Sequence, residues 1–189
     1  MRAIADVILE IDASLTALDV RHAFGGALAL AFYAEPRGTV DVDINVGIRF
    51  ESRSTLLAHL DQMGWHTDGE TDRTLPAAGT RLHQIGETVV VDLFFAFDAL
   101  HDDVLDRAVV KPFVHEGRRH ELRFLSAEDL TIFKISFGRT KDWVDIEAMI
   151  AAGTPIDADY VENQLVQFKG PTIYPATARL RAMLRGHPQ

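Results

Sequence analysis

From Val40 to Val46 the chain alternates strictly: Val40, Val42, Ile44 and Val46 are apolar, and Asp41, Asp43 and Asn45 stand between them. This period of two is the pattern of a half-buried strand, whose successive side chains point to opposite faces. It places Asp41 and Asp43 on one face, about 7 Å apart at roughly 3.3 Å of rise per residue. A solvated strand face would ordinarily carry Thr or Lys at such positions. Two like charges held this close repel. A divalent cation with oxygen ligands turns that repulsion into binding, and Mg²⁺ is typically held by one or two carboxylates together with substrate phosphates.

The flanking sequence sets this strand in an α/β context. Ile4, Val7, Ile8, Ile11, Leu15 and Leu18 recur at helical spacing and predict a first amphipathic helix over 3–18. A short strand over 20–24 runs into Gly25-Gly26, and a small-residue helix over 27–34 ends at Glu35-Pro36. A helix is expected over 54–63, closed by Gly64, and then a Gly/Pro-rich loop over 67–79. Two hairpins follow, one over 82–85 and 88–95 across Gly86-Glu87, the other over 109–114 and 119–124 across Glu116-Gly117. A short helix over 98–107 separates them. After Leu125 the pattern becomes helical, beginning at the capping-box-like Ser126-Ala-Glu-Asp129, with helices near 126–138, 140–152, 157–168 and 175–185. The expected organisation is an α/β core over 1–125 and a helical region over 126–189 packed on it.

Composition narrows the function. The chain of 189 residues has no run approaching the roughly 20 apolar residues that span a bilayer, so no membrane role is expected. With no cysteine, disulfides, thiol catalysis and cysteine-ligated zinc are excluded, and a cytoplasmic protein is the simple reading. A formal net charge of −9 counts against broad binding of polyanions but not against a nucleotide whose charge a metal screens.

Gly25-Gly26, a short apolar helix and then Arg37-x-Thr39-x-Asp41-x-Asp43 together resemble the signature of the DNA polymerase β-like nucleotidyltransferases. The Arg37/Thr39 spacing is most similar to the AbiEii-type branch, the toxin components of type IV toxin–antitoxin systems, and its solitary relatives. The resemblance covers about two-thirds of the chain. It implies an α+β fold, a mixed and mostly antiparallel sheet flanked by helices. It also implies a cofactor, Mg²⁺ or Mn²⁺, and a nucleoside triphosphate as substrate. The acceptor would be a hydroxyl of RNA, of a protein or of a small molecule such as an aminoglycoside, and a toxin would have an antitoxin partner. The competing class is a non-catalytic nucleotide- or partner-binding protein on the same fold.

The resemblance also implies roles. Asp41 and Asp43 would be metal ligands, and the third acid would be Asp92, a lone charge in the apolar run Val89–Phe95. A buried carboxylate needs a partner or an ion, so a strand-end Asp paired with an Arg is the alternative. At Gly25 and Gly26, backbone N–H groups would approach a phosphate; a tight strand–helix turn is the plain alternative. Many relatives have Gly-Ser here, and Gly26 removes that hydroxyl. Lys134, Arg139, Lys141, Asp142 and Asp145 resemble the family's helical motif. Lys134 would reach phosphate, Arg139 would contact phosphate or hold the acidic cluster, and Asp142 and Asp145 would be supporting, with Asp145 orienting Lys134 or Arg139. A surface ion pair between Lys141 and Asp145 competes with that role. Arg37 and Thr39 would lie beside the nucleotide, or be a counter-ion and a β-former.

The remaining conspicuous residues read as structural. The eight histidines show no ligand spacing. Trp65, Trp143, Phe94, Phe95 and Phe97 read as core. Arg179, Arg181 and Arg185 make one helix face basic, a solvated face in the first instance and an RNA-contact surface in the second.

Overall fold

The computed structural model describes residues 2–67, 79–96 and 99–186, the side chains of residues 99 and 100 excepted. Helix α1 (Ile4–Ala17) leads into strand β1 (His22–Phe24), helix α2 (Gly26–Leu30) and strand β2 (Asp41–Arg49). Helix α3 (Arg53–Gln62), strands β3 (His66–Thr67), β4 (Gly79–His83) and β5 (Val90–Ala96) and helix α4 (Ala99–Asp106) follow. Strands β6 (Val109–His115) and β7 (Arg118–Phe124) complete the sheet, and helices α5 (Ala127–Phe137), α6 (Thr140–Ala151), α7 (Ala158–Lys169) and α8 (Tyr174–Gly186) end the chain.

The seven strands form one sheet in the order β3-β4-β5-β2-β1-β7-β6. Among the described residues, the β1–β7 and β2–β5 pairs are parallel and the other pairs are antiparallel. The mixed, mostly antiparallel sheet flanked by helices is the one the sequence predicts. Val42, Ile44 and Val46 are buried, as the alternation requires, and join a hydrophobic core with α1 residues Val7, Ile8, Ile11 and Leu15. The core continues through Ile132, Ile146 and Leu165 of the C-terminal helices. Glu116 and Gly117, at φ 47° and 73°, make the left-handed turn that a two-residue hairpin between twisted strands requires.

Some boundaries differ from expectation, each for a local reason. Helix α2 stops at Leu30, and residues 31–35 continue as turns. Strand β4 begins at Gly79, not at position 82, because pairing runs from Gly79↔Phe94 to His83↔Val90. The two-residue β3 occupies His66–Thr67, its second residue falling where the sequence predicts the start of a loop, and pairs with β4. The interior of the expected loop, residues 68–78, and Phe97 lie outside the described residues.

Helix α5 is fastened at both ends. The Ser126 hydroxyl accepts the Asp129 N–H at its start, the N-cap contact the sequence predicts. Gly138, at φ 66°, closes its end in the left-handed conformation. Fully buried Asp129 accepts two hydrogen bonds from Arg107, at 2.8 and 3.3 Å, and one from Ser126 at 2.9 Å. Removing one partner of a buried ion pair leaves a charge without compensation. Arg107→Met is therefore expected to lower the unfolding free energy by about 3 kcal/mol in urea denaturation; a loss below about 1 kcal/mol would show that Arg107 is not what holds the Asp129 charge.

Candidate functional site

The parallel register of β2 and β5 sets Asp43 opposite Asp92. Asp41, two residues earlier, shares the face of Asp43. All three carboxylates line one cleft of about 250 Å³, together with Gly26, Arg37, Thr39, Lys134, Arg139 and Asp142. Gly25 lies immediately behind, its N–H donating to the Asp43 carbonyl at 2.8 Å. The structure thus brings every sequence-predicted residue to or beside one cleft, except Asp145, which lies one hydrogen bond behind Lys134 and Arg37.

The acids differ in what compensates them. Asp92 is 3% exposed. Arg81, its register partner on β4, donates from Nε and Nη2 to both carboxylate oxygens at 2.7 and 2.6 Å. That bidentate pair makes an ionised side chain tolerable at this depth. It also means that the three acids are not preassembled as an ion cluster. Among the described residues, no three Asp, Glu or His side chains are grouped closely enough to hold a metal. Asp41 and Asp43 have no such partner among the described residues. Burial, then the charges of Asp92 and Asp41, push the Asp43 carboxyl up to about 6, against the opposing pull of Lys134 and Lys141. Two crowded carboxylates without a counter-ion fit a hard divalent cation, whose ligands are oxygens.

Gly26 explains itself against Asp43. It sits at φ 52°, and a Cβ there would lie 1.7 Å from Asp43 Oδ2 and 3.0 Å from Asp43 Cβ. A serine at this position would displace the carboxylate and strain the backbone. The Asp43 side chain occupies the place that a side chain at position 26 would take.

Besides Arg81 on β4 and Arg37 ahead of β2, the cations of the cleft come from α5 and α6, which turn back on each other at Gly138. Lys134 is buried and donates to Asp145 Oδ2 at 2.5 Å. Arg37 donates to both oxygens of the same Asp145, each at 3.0 Å. Burial pushes the Asp145 carboxyl up, but the hydrogen bonds from Arg37 and Lys134 outweigh it and hold the group below the usual carboxylate range. Asp145 is paired with Lys134, and its second partner is Arg37 and not Arg139. Arg139 caps α6 instead: its Nε and backbone N–H donate to Asp142 Oδ2 at 2.8 and 3.1 Å. Lys141 does not pair with Asp145; it lines the cleft and has no carboxylate partner among the described residues. The Thr39 hydroxyl accepts the Asp41 N–H at 3.1 Å and so fixes the start of β2.

Sequence reading missed four contributors. Arg81 fell outside the strand expected at 82. Lys141, inside the resembling motif, carries no role in the sequence reading beyond a competing surface pair with Asp145. Phe94, read as core, lines the cleft with Phe133 and Phe137, its ring centroid 6.0 Å from that of Phe137. Asn45, on the Asp41/Asp43 face, is 5% exposed at the cleft, and its Oδ1 accepts no hydrogen bond among the described residues; its period-2 position was the available signal. Phe95, Trp65 and Trp143 are core. Two of the C-terminal arginines are used inside the fold, Arg181 on Asp159 and Glu162 and Arg179 over the Trp143 ring at 4.1 Å.

No family model matches the chain, and no curated protein is similar to it in sequence. Solved structures are similar in fold. One is the antibiotic-resistance factor ANT(2'')-Ia in solution, 17% identical with a TM-score of 0.56 over 94% of this chain and 96% of that one. Its crystal structure in complex with adenylyl-2''-tobramycin gives 17% and 0.57 over 87% and 96%. An antigenic nucleotidyltransferase-like protein from Paracoccidioides brasiliensis gives 21% and 0.52 over 92% and 91%. At these identities the likeness establishes the fold, which this chain shares with those nucleotidyltransferases.

The raised Asp43 carboxyl has a consequence for stability. The folded chain holds this proton more tightly than the unfolded chain does. The contribution of Asp43 therefore falls as pH rises from about 4 to about 6, leaving a penalty of roughly 3 kcal/mol at neutral pH. Asp43→Asn, uncharged throughout, is expected to be more stable than the parent by up to about 3 kcal/mol near pH 7.5, with the advantage shrinking towards pH 4. Urea denaturation at the two pH values measures it; a variant less stable near pH 7.5 would contradict the assignment.

Proposed function

We propose that this chain is a divalent-metal-dependent nucleotidyltransferase that moves a nucleotidyl group from a nucleoside triphosphate to a hydroxyl. The observation that carries the reading is the meeting, in one cleft, of an uncompensated Asp41/Asp43 pair, the third acid Asp92, the bare Gly26 and the cation-bearing α5–α6 turn. Asp41 and Asp43 would hold Mg²⁺ or Mn²⁺, with Asp92 beside them. Bound there, the ion supplies positive charge between carboxylates and phosphates. The core over 1–125 would carry the acids, and the helical region over 126–189 the cations.

The residues divide the work. The Gly26 backbone, bare of a side chain, would approach the phosphates beside the Asp43 carboxylate, and Gly25, whose N–H is held by the Asp43 carbonyl, would fix that turn. Lys134, held by Asp145, would place a fixed positive charge on them, and Arg139 and Lys141 would widen that field at the rim. Arg37 and Thr39 would shape the entrance, Arg37 through Asp145 and Thr39 through the Asp41 backbone. The acceptor oxygen attacks the α-phosphorus as the bond to the bridging oxygen of the β-phosphate breaks. Pyrophosphate leaves with that electron pair, and the hydroxyl proton passes to Asp92.

For the acceptor, two observations favour a small molecule over RNA or protein. The net charge of −9 opposes a polyanion. The similar ANT(2'')-Ia structure contains adenylyl-2''-tobramycin, a nucleotidylated small molecule. The AbiEii-type role, with RNA as target and an antitoxin as partner, is supported by the Arg37/Thr39 spacing alone. A non-catalytic nucleotide-binding protein is the second reading, and Arg81 seated on Asp92 is what favours it.

Incubation with labelled nucleoside triphosphates, Mg²⁺ and panels of small-molecule, RNA and protein acceptors separates these readings. Pyrophosphate release with labelling of a small molecule is expected, abolished in Asp43→Asn. Lys134→Ala is expected to weaken triphosphate binding by roughly 1.5–3 kcal/mol through loss of a charge-assisted hydrogen bond. Binding without transfer to any acceptor would select the non-catalytic reading.

A further inference from the structure

Arg81 lies at the centre of the acidic cluster. Its guanidinium fork covers both oxygens of Asp92, and Asp41 and Asp43 also act on its charge. Its place is fixed by the sheet, since Arg81 and Asp92 are register partners on antiparallel strands and no loop is involved. Asp92 is the carboxylate partner of Arg81 among the described residues, and Arg81 is the cation on Asp92. A guanidinium carries its charge at every physiological pH and matches a carboxylate in shape. It is a resident cation on the third acid.

We propose that Arg81 takes the place of one of two divalent ions, so that the working site holds a single ion, on Asp41 and Asp43. This rests on reading the cleft as a nucleotide site. An ion on Asp92 would have to displace two charge-assisted hydrogen bonds and lie against a positive group. Among the described residues Asp41 and Asp43 have no cation in an ion pair with them: Lys134 and Arg37 are taken by Asp145, Arg139 by Asp142, and Lys141, which lines the cleft, acts on Asp43 without pairing to it. The demand for a divalent ion is therefore concentrated on that pair. The acceptor hydroxyl, approaching from the Asp92 side, meets a guanidinium-held carboxylate and no second ion. Arg81 acts through Asp92 and is a positioning residue.

The ion count tests this directly. Mn²⁺ is titrated, with free ion read by electron paramagnetic resonance, into the full chain saturated with a nucleoside triphosphate analogue whose α,β-bridge is a methylene. The parent is expected to take up one Mn²⁺ per protein–nucleotide complex and Arg81→Gln two, because the variant frees both oxygens of Asp92. A merely structural role for Arg81 would leave the count unchanged. Two ions in the parent, or one in a folded Arg81→Gln, would overturn the proposal. If Arg81→Gln does not fold, the parent count alone decides. Failure of the parent to bind the analogue at all would instead overturn the nucleotide-transfer reading on which this one rests.

Discussion

Repulsion among carboxylates on one sheet face is the constraint around which this molecule is organised. Three of them meet where β2 and β5 run in parallel register, and each must be compensated or expelled. Asp92 is compensated by Arg81 within the sheet. Asp43 is not, and its carboxyl rises to about 6 as burial and its neighbours oppose its charge. The fold tolerates this only because the surrounding strands, with fully buried Val42, Ile44, Val91 and Leu93, supply enough apolar packing to hold the face in place. Crowding of this kind, at a cleft and in a carboxylate, leaves Asp43 without a paired cation among the described residues.

The second half of the chain answers that negative face. Gly138 turns α5 back into α6, and the turn brings Lys134 and Asp145 together across the two helices. Asp145 then reaches the other way to Arg37, just before β2. One buried carboxylate thereby ties the helical region to the entrance of the acidic strand and aims two cations at the cleft. Arg139 and Asp142 repeat the device at the first turn of α6. Cations held by their own carboxylates stay in position before any ligand arrives, which lowers the ordering cost of binding an anion.

Much of this was legible in the chain because it rests on short-range pattern. The alternation around Asp41 and Asp43 fixes their common face, Ser126 and Gly138 mark the ends of α5, and Glu116-Gly117 marks a hairpin. What escaped depends on register between distant strands. Arg81 falls between the loop expected to end at 79 and the strand expected to begin at 82; three residues of extra pairing put it opposite Asp92. Asp145 has three suitors in sequence, Lys141 four residues before, Arg139 six before and Lys134 eleven before. Only the Gly138 turn decides for Lys134. Phe94 reads as core because its neighbours are apolar, yet period-2 geometry places it on the same side as Asp92, where the cleft opens.

The central claim is that Asp41 and Asp43 bind a triphosphate only through a divalent ion. Isothermal titration of the chain with a nucleoside triphosphate, in Mg²⁺ and again in chelator, tests it most directly. The account predicts saturable binding in Mg²⁺ and its loss in chelator, because the phosphates would then face the carboxylates unscreened. Equal affinity in the two conditions would contradict it.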